Sequence, residues 1–165
     1  MSVPIRFGER GDVALIAELI RELARYEKLE HEVTATEEKL TNALFGERPY
    51  AETLIAEDEG EPVGFALFFH NFSTFLAQPG IYLEDLFVKP EHRGRGIGRL
   101  LLGRLAQIAV DRGCGRLEWA VLDWNENAIR FYERLGAKPN SEWTVYRLTG
   151  ESLQALAARR EQSGE

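Results

Sequence analysis

Leu15, Ile16, Leu19, Ile20 and Leu23 recur at intervals of three and four, the period of a helix with one buried face. Asp12 stands just before this run, where a short oxygen-bearing side chain can cap a helix. Thr34 with Glu37 three residues later has the form of a capping box. It predicts a second helix with Leu40 and Leu44 inward, stopped by Gly46 and Pro49. Short apolar runs at 3–7, 53–56 and 63–69 predict strands, the last two joined as a hairpin through Asp58-Glu59-Gly60-Glu61. The polar stretch 71–80 reads as a loop, and 81–88 as another strand. A basic, glycine-containing turn over 90–96 precedes a helix over 98–112, with Leu101, Leu102, Leu105, Ile108 and Ala109 along one side. A strand at 117–122 and a helix over 125–135 follow, the helix ended by Gly136. A last strand at 143–148 and a short helix over 152–160 complete the pattern, with 161–165 expected to fray. The order predicts an α/β fold: a mixed sheet flanked by helices, with the two strand–helix units of the second half parallel.

With 165 residues and no repeat or linker, the chain reads as one domain over 1–165. Its apolar share of 44% can build a sizeable core, and no apolar run reaches the roughly 18–20 residues of a membrane span. Residues 1–9 lack the basic start and apolar stretch of a secretory leader, and Cys114 is the only cysteine. Both point to a reducing cytoplasm. His31, His70 and His92 are far apart, so no metal site is expected. A net charge of −7 disfavours nucleic acid as a partner and favours a cationic small molecule.

The local exception is basic. The strand ending in Leu86, Phe87 and Val88 runs into Lys89-Pro90-Glu91-His92-Arg93-Gly94-Arg95-Gly96-Ile97-Gly98-Arg99. Glycines in a strand–turn–helix let the main chain approach a ligand, with N–H groups aimed outward at the positive end of a helix dipole. That suits a diphosphate. No Gly-Lys-Ser/Thr follows, and the spacing is not that of a dinucleotide fold. Glu84 and Asp85 interrupt the apolar strand before it. In a regular strand Glu84 shares a face with Tyr82 and Leu86, and Asp85 shares the other with Leu83 and Phe87. At least one carboxylate must then meet a cavity, a partner or a disturbed ladder.

Arg93-Gly94-Arg95-Gly96-Ile97-Gly98 has the form Arg/Gln-x-x-Gly-x-Gly/Ala and resembles the acetyl-CoA diphosphate loop of the GNAT N-acetyltransferases. Arg25-Tyr26-Glu27, Tyr82-Leu83-Glu84-Asp85, Trp124-Asn125-Glu126 and Phe131-Tyr132 narrow the resemblance to the diamine (spermidine/spermine) acetyltransferase branch. The resemblance implies a mostly antiparallel central sheet with a splayed parallel strand pair. It also implies a homodimer with acetyl-CoA as co-substrate. It assigns Arg93 to Arg99 to the diphosphate, and the main chain of Leu86, Phe87 and Val88 to the pantetheine arm; Asn125, from its position, can cap its helix, reach that arm, or do both. Glu84 becomes a water-relayed base or substrate ligand, and Tyr132 the general acid. Tyr26, Glu27 and Asp85 are expected to touch the acceptor, and Trp143 to wall its channel.

The chemistry needs such groups. An amine with a pKa of about 10.4 is neutral in only about one part in a thousand near pH 7.4, a handicap of roughly 4 kcal/mol. A carboxylate can take its proton, and a phenol can protonate the departing thiolate. The expected activity is acetyl transfer to a primary amine of a polyamine- or diamine-like acceptor. An amino acid such as a lysine analogue is the alternative acceptor, and a non-catalytic acyl-CoA-binding regulatory module the alternative class.

Overall fold

Five strands form one mixed sheet in the order β1-β2-β3-β4-β5. They are β1 (Ile5–Phe7), β2 (Glu52–Asp58), β3 (Glu61–Ser73), β4 (Gln78–Val88) and β5 (Leu117–Trp119). The first four pair antiparallel, and β4 with β5 parallel. The helices are α1 (Val13–Tyr26), α2 (Glu37–Phe45), α3 (Ile97–Asp111), α4 (Glu126–Arg134) and α5 (Gly150–Ala158). This computed structural model describes residues 3–159. The chain divides into two compact units, Met1–Leu122, which holds the whole sheet, and Asp123–Glu165.

Strand alternation places α1 and α2 on one sheet face. Ile55 of β2 packs with Val13, Ile16 and Ala17 of α1 and with Leu40 and Leu44 of α2. Phe65 of β3 and Phe87 of β4, cross-strand partners, pack with Leu19 and Leu23 of α1. The other face carries α3, whose Leu101 and Leu105 are fully buried and whose following residue, Arg112, lies 6.0 Å from the ring centre of Phe68. Arg112 also forms a two-toothed ion pair with Glu52 of β2, at 2.6 and 2.9 Å.

Two caps differ from expectation. Helix α2 starts at Glu37 with Thr36, not Thr34, as its cap: the Thr36 hydroxyl accepts from the Lys39 N–H at 3.1 Å. Asp12 precedes α1 without capping it, because both its oxygens accept from Arg6, at 2.8 and 2.9 Å. A two-toothed charged pair is the stronger bond.

The stretch read as a loop at 71–80 is largely strand. β3 runs on to Ser73 and β4 begins at Gln78, paired Ser73 to Gln78 across a short turn. Its polar residues satisfy a ladder whose tip extends beyond the core. The predicted strand at 143–148 does not form; these residues have no ladder partner, and Trp143 and Tyr146 are 74% and 94% exposed. Alternation of Trp143, Val145 and Arg147 with Thr144, Tyr146 and Leu148 describes a strand, but a strand also needs a neighbour to bond with. The last helix begins at Gly150, and 160–165 lie outside the described residues.

Candidate active site

The ladder between β3 and β4 carries one extra residue. Leu67 pairs with Asp85 and Phe68 with Leu83, so Glu84 has no opposite number and forms a β-bulge. A bulge resets the alternation of its strand. Leu83, opposite Phe68, faces α3, whereas Asp85, opposite Leu67, and Phe87, opposite Phe65, face α1. Tyr82, opposite Phe69 with ring centres 5.3 Å apart, also lies on the α1 side. The regular-strand expectation that Leu83 and Asp85 share a face is therefore corrected, as is the separation of Tyr82 from Asp85.

The bulge gathers acidic groups beneath the end of α1. Burial, then the charges of Glu84 and Glu27, raises the Asp85 carboxyl to about 7. Burial and Glu84 likewise raise Glu27, the residue that closes α1, and Tyr82. Glu84 is exposed, and it lies close enough for its charge to raise all three. One turn before Tyr26, an oxygen of Glu22 is buried without a hydrogen-bond partner. Sequence reasoning singled out Tyr26, Glu27, Glu84 and Asp85 but missed Glu22, which lay unmarked in a generally acidic stretch.

The proton on Asp85 leaves a mark on stability. Between about pH 4 and 7 the folded protein holds a proton that the unfolded chain, with an ordinary Asp pKa of about 3.9, has released. Stability therefore falls as pH rises through that window. Asp85→Asn removes the penalty. Urea unfolding should show the variant gaining on the parent by on the order of 2 kcal/mol between pH 4 and pH 8. A gap that stays constant with pH would refute the assignment.

The β4–β5 ladder holds only from Ile81–Leu117 to Leu83–Trp119. From Glu84 to Val88 the β5 side of β4 has no strand partner among the described residues, so the main chain of Leu86, Phe87 and Val88 is not held in a ladder on that side. At its end Pro90–His92 forms a single 3-10 turn, and Gly94 and Gly96 both take φ +79°, a left-handed conformation that favours glycine. A Cβ at either would meet nothing within 4 Å, so the turn borders open space. Gly96 caps α3, whose first N–H groups, those of Ile97, Gly98 and Arg99, have no acceptor within the helix. This donor set, with its unfilled surroundings, suits a diphosphate.

The arginines of the turn differ in their commitments. Arg95 is ion-paired to Asp58 at 2.7 Å and lies 3.1 Å from His92 Nδ1. Arg93 donates from Nε to the Val88 carbonyl at 2.9 Å, and its guanidinium lies 4.6 Å from the ring centre of Tyr26 and 5.4 Å from that of Phe87. Arg99 is exposed.

The remaining expected residues belong to the second unit. Asn125 is buried and caps α4, its Oδ1 accepting from the Ala128 N–H at 3.4 Å. Tyr132 is half-buried, its ring 5.5 Å from that of Phe131. Trp143 is exposed in irregular chain. Among the described residues, no group of three or more His, Cys, Asp or Glu side chains could hold a metal ion, and no helix is long and apolar enough to cross a membrane.

A β4 bulge, a parallel pair that stops early and a glycine turn capping the next helix follow one another along the chain, and comparison with known proteins gives the family. The chain belongs to the acetyltransferase (GNAT) family, whose model matches residues 15–137. It is 44% identical to the thialysine N-epsilon-acetyltransferase of Bos taurus, over 95% of this chain and 98% of that protein. It is 34% identical to the spermidine/spermine N(1)-acetyltransferase-like protein 1 of Homo sapiens, over 93% of this chain and 23% of that one. Among solved structures it resembles an integron cassette protein from the mobile metagenome of V. cholerae, with a TM-score of 0.80, 32% identity and coverage of 95% and 98%. The protein is thus a GNAT N-acetyltransferase, with the mixed sheet and parallel strand pair that the resemblance implied.

Proposed function

We propose that the protein moves the acetyl group of acetyl-CoA directly to the primary amine of a small acceptor with a second cationic centre, a polyamine or a diamino acid. The observation that carries this reading is Asp85 on the α1 face of β4, close to Glu27 at the end of α1 and to the bulged Glu84, with Tyr26 next to Glu27 and the unpaired edge of β4 beyond. Carboxylates with an aromatic ring make a site for ammonium. The names of the bovine and human relatives span the two acceptor types.

Acetyl-CoA supplies the thioester carbonyl. The stretch from Arg93 to Arg99 holds its diphosphate, and the main chain of Leu86, Phe87 and Val88, with Asn125, receives its pantetheine arm. Glu84 takes the ammonium proton, directly or through water, and Asp85 and Glu27 hold the acceptor. Tyr132 protonates the departing sulfur, and Trp143 borders the acceptor's path. The resemblance supports the role of Tyr132 and also a homodimer; the single cysteine supports a cytoplasmic location.

The test is release of coenzyme thiol from acetyl-CoA with spermidine, thialysine and single-charge alkylamines. Turnover with the two multiply charged amines, and at least about tenfold less with the alkylamines, is expected. Coenzyme binding by calorimetry without thiol release from any amine would favour a regulatory acyl-CoA-binding module instead.

A further inference from the structure

We propose that Asp58, at the end of β2, is a positioning residue for the donor: through Arg95 it holds the glycine turn in the shape that receives the diphosphate. This rests on the function proposed above. In the stretch Gly94-Arg95-Gly96-Ile97-Gly98, Arg95 is the only side chain that can form a hydrogen bond. It stands between two glycines in left-handed backbone, both at φ +79°. Such a segment loses much conformational freedom when it orders, and a coenzyme that must order it binds less tightly. The Arg95 side chain offsets that loss before the coenzyme arrives. One of its Nη nitrogens lies 2.7 Å from an Asp58 oxygen and 3.1 Å from His92 Nδ1, and a guanidinium only donates, so both accept. The turn is thereby tied to the end of β2 and to the 3-10 turn that precedes it.

Asp58 itself sits on a stiff support. Glu59 and Gly60 have φ of 51° and 82°, the left-handed pair of a two-residue hairpin turn, and Asp58 pairs with Glu61 across it. The same hairpin holds the entry to the glycine turn, where the Lys89 N–H donates to the Val63 carbonyl at 2.8 Å. The bond from Arg95 keeps the Asp58 carboxyl below its usual range, so the pair stays charged near neutrality. Charge alone argues for the opposite effect. Asp58 is an anion beside the turn assigned to an anionic coenzyme, and it occupies a guanidinium that could otherwise reach the phosphates. On that ground its removal would tighten binding. Positioning and charge therefore predict opposite signs for one substitution.

Acetyl-CoA binding by calorimetry decides between them. Asp58→Ala should weaken it roughly 3- to 10-fold, the scale of one hydrogen bond. Asp58→Asn has the same charge as the alanine variant but keeps an oxygen for Arg95, and it should stay within about twofold of the parent. Calorimetric stoichiometry counts the folded protein, so the comparison holds even where a variant is partly unfolded. In steady-state thiol release the loss should fall on the KM for acetyl-CoA, with kcat and the KM for the amine little changed. Unchanged or tighter binding by Asp58→Ala overturns the inference. So does equal weakening in the two variants, which would leave no part for the bond to Arg95. If the unaltered protein does not bind acetyl-CoA, the proposed function fails and this inference with it. A parent that binds acetyl-CoA beside an Asp58→Ala variant that binds it equally well removes the inference alone.

Discussion

Tyr132→Phe should lower kcat about a hundredfold or more while leaving acetyl-CoA affinity within a few-fold. The substitution keeps the ring that lies 5.5 Å from Phe131 and removes only the hydroxyl. Loss of one hydrogen bond typically costs about 1 kcal/mol of stability, so the variant remains folded. The rate, however, depends on a proton arriving at the departing sulfur, and general acid catalysis supplies about 10²- to 10⁴-fold. Steady-state thiol release from pH 6 to 10, with thialysine saturating, reads the effect. A kcat equal to the parent's across that range would remove Tyr132 from the acid role and leave it as a packing residue.

The second large effect is on folding. Phe65→Ala should destabilise the protein by about 3–5 kcal/mol, a large part of the total for a domain of this size. Phe65 is fully buried and sits in the cluster of Leu19, Leu23 and Phe87 that seats α1 on the sheet. The void would open beneath the last two turns of α1, which carry Tyr26 and Glu27. The KM for the amine should therefore rise along with the loss of stability. Val110→Ala, at an exposed position on α3, is the control and should stay within about 0.5 kcal/mol. Urea midpoints of the three proteins decide the matter, and a Phe65→Ala loss below about 1 kcal/mol would contradict this packing.

Much of the site-bearing architecture was legible because it rests on residues with few alternatives. Gly94 and Gly96 mark a turn that needs left-handed backbone, and the structure gives both φ +79°. The inward residues of α1 and α3 follow from spacing alone: Ile16, Leu19 and Leu23 of α1 and all five named on α3 are buried, and Leu15 and Ile20 are half-buried against the same cluster. The bulge was not legible. A period of two along Ile81, Leu83, Asp85 and Phe87 looks unbroken, and an extra residue that turns half the strand over leaves no trace in composition. For the same reason sequence could name Glu84 and Asp85 but not that Asp85 turns to the side of Tyr82. The 71–80 stretch misled because Gly and Pro near a hairpin tip look like a loop, although edge and tip positions tolerate them within strands. At 143–148 the error ran the other way, from a pattern that specifies alternation but names no neighbour.

The early end of the β4–β5 ladder has a consequence for how such an enzyme diversifies. Under the proposed function the donor is held by peptide groups, which are indifferent to the side chains that flank them, so substitutions at 86 and 88 that preserve the strand should leave its binding intact. Acceptor selectivity is assigned by the same proposal to side chains at the end of α1 and on β4. Mutation would then redraw the set of amines accepted without disturbing the grip on the donor.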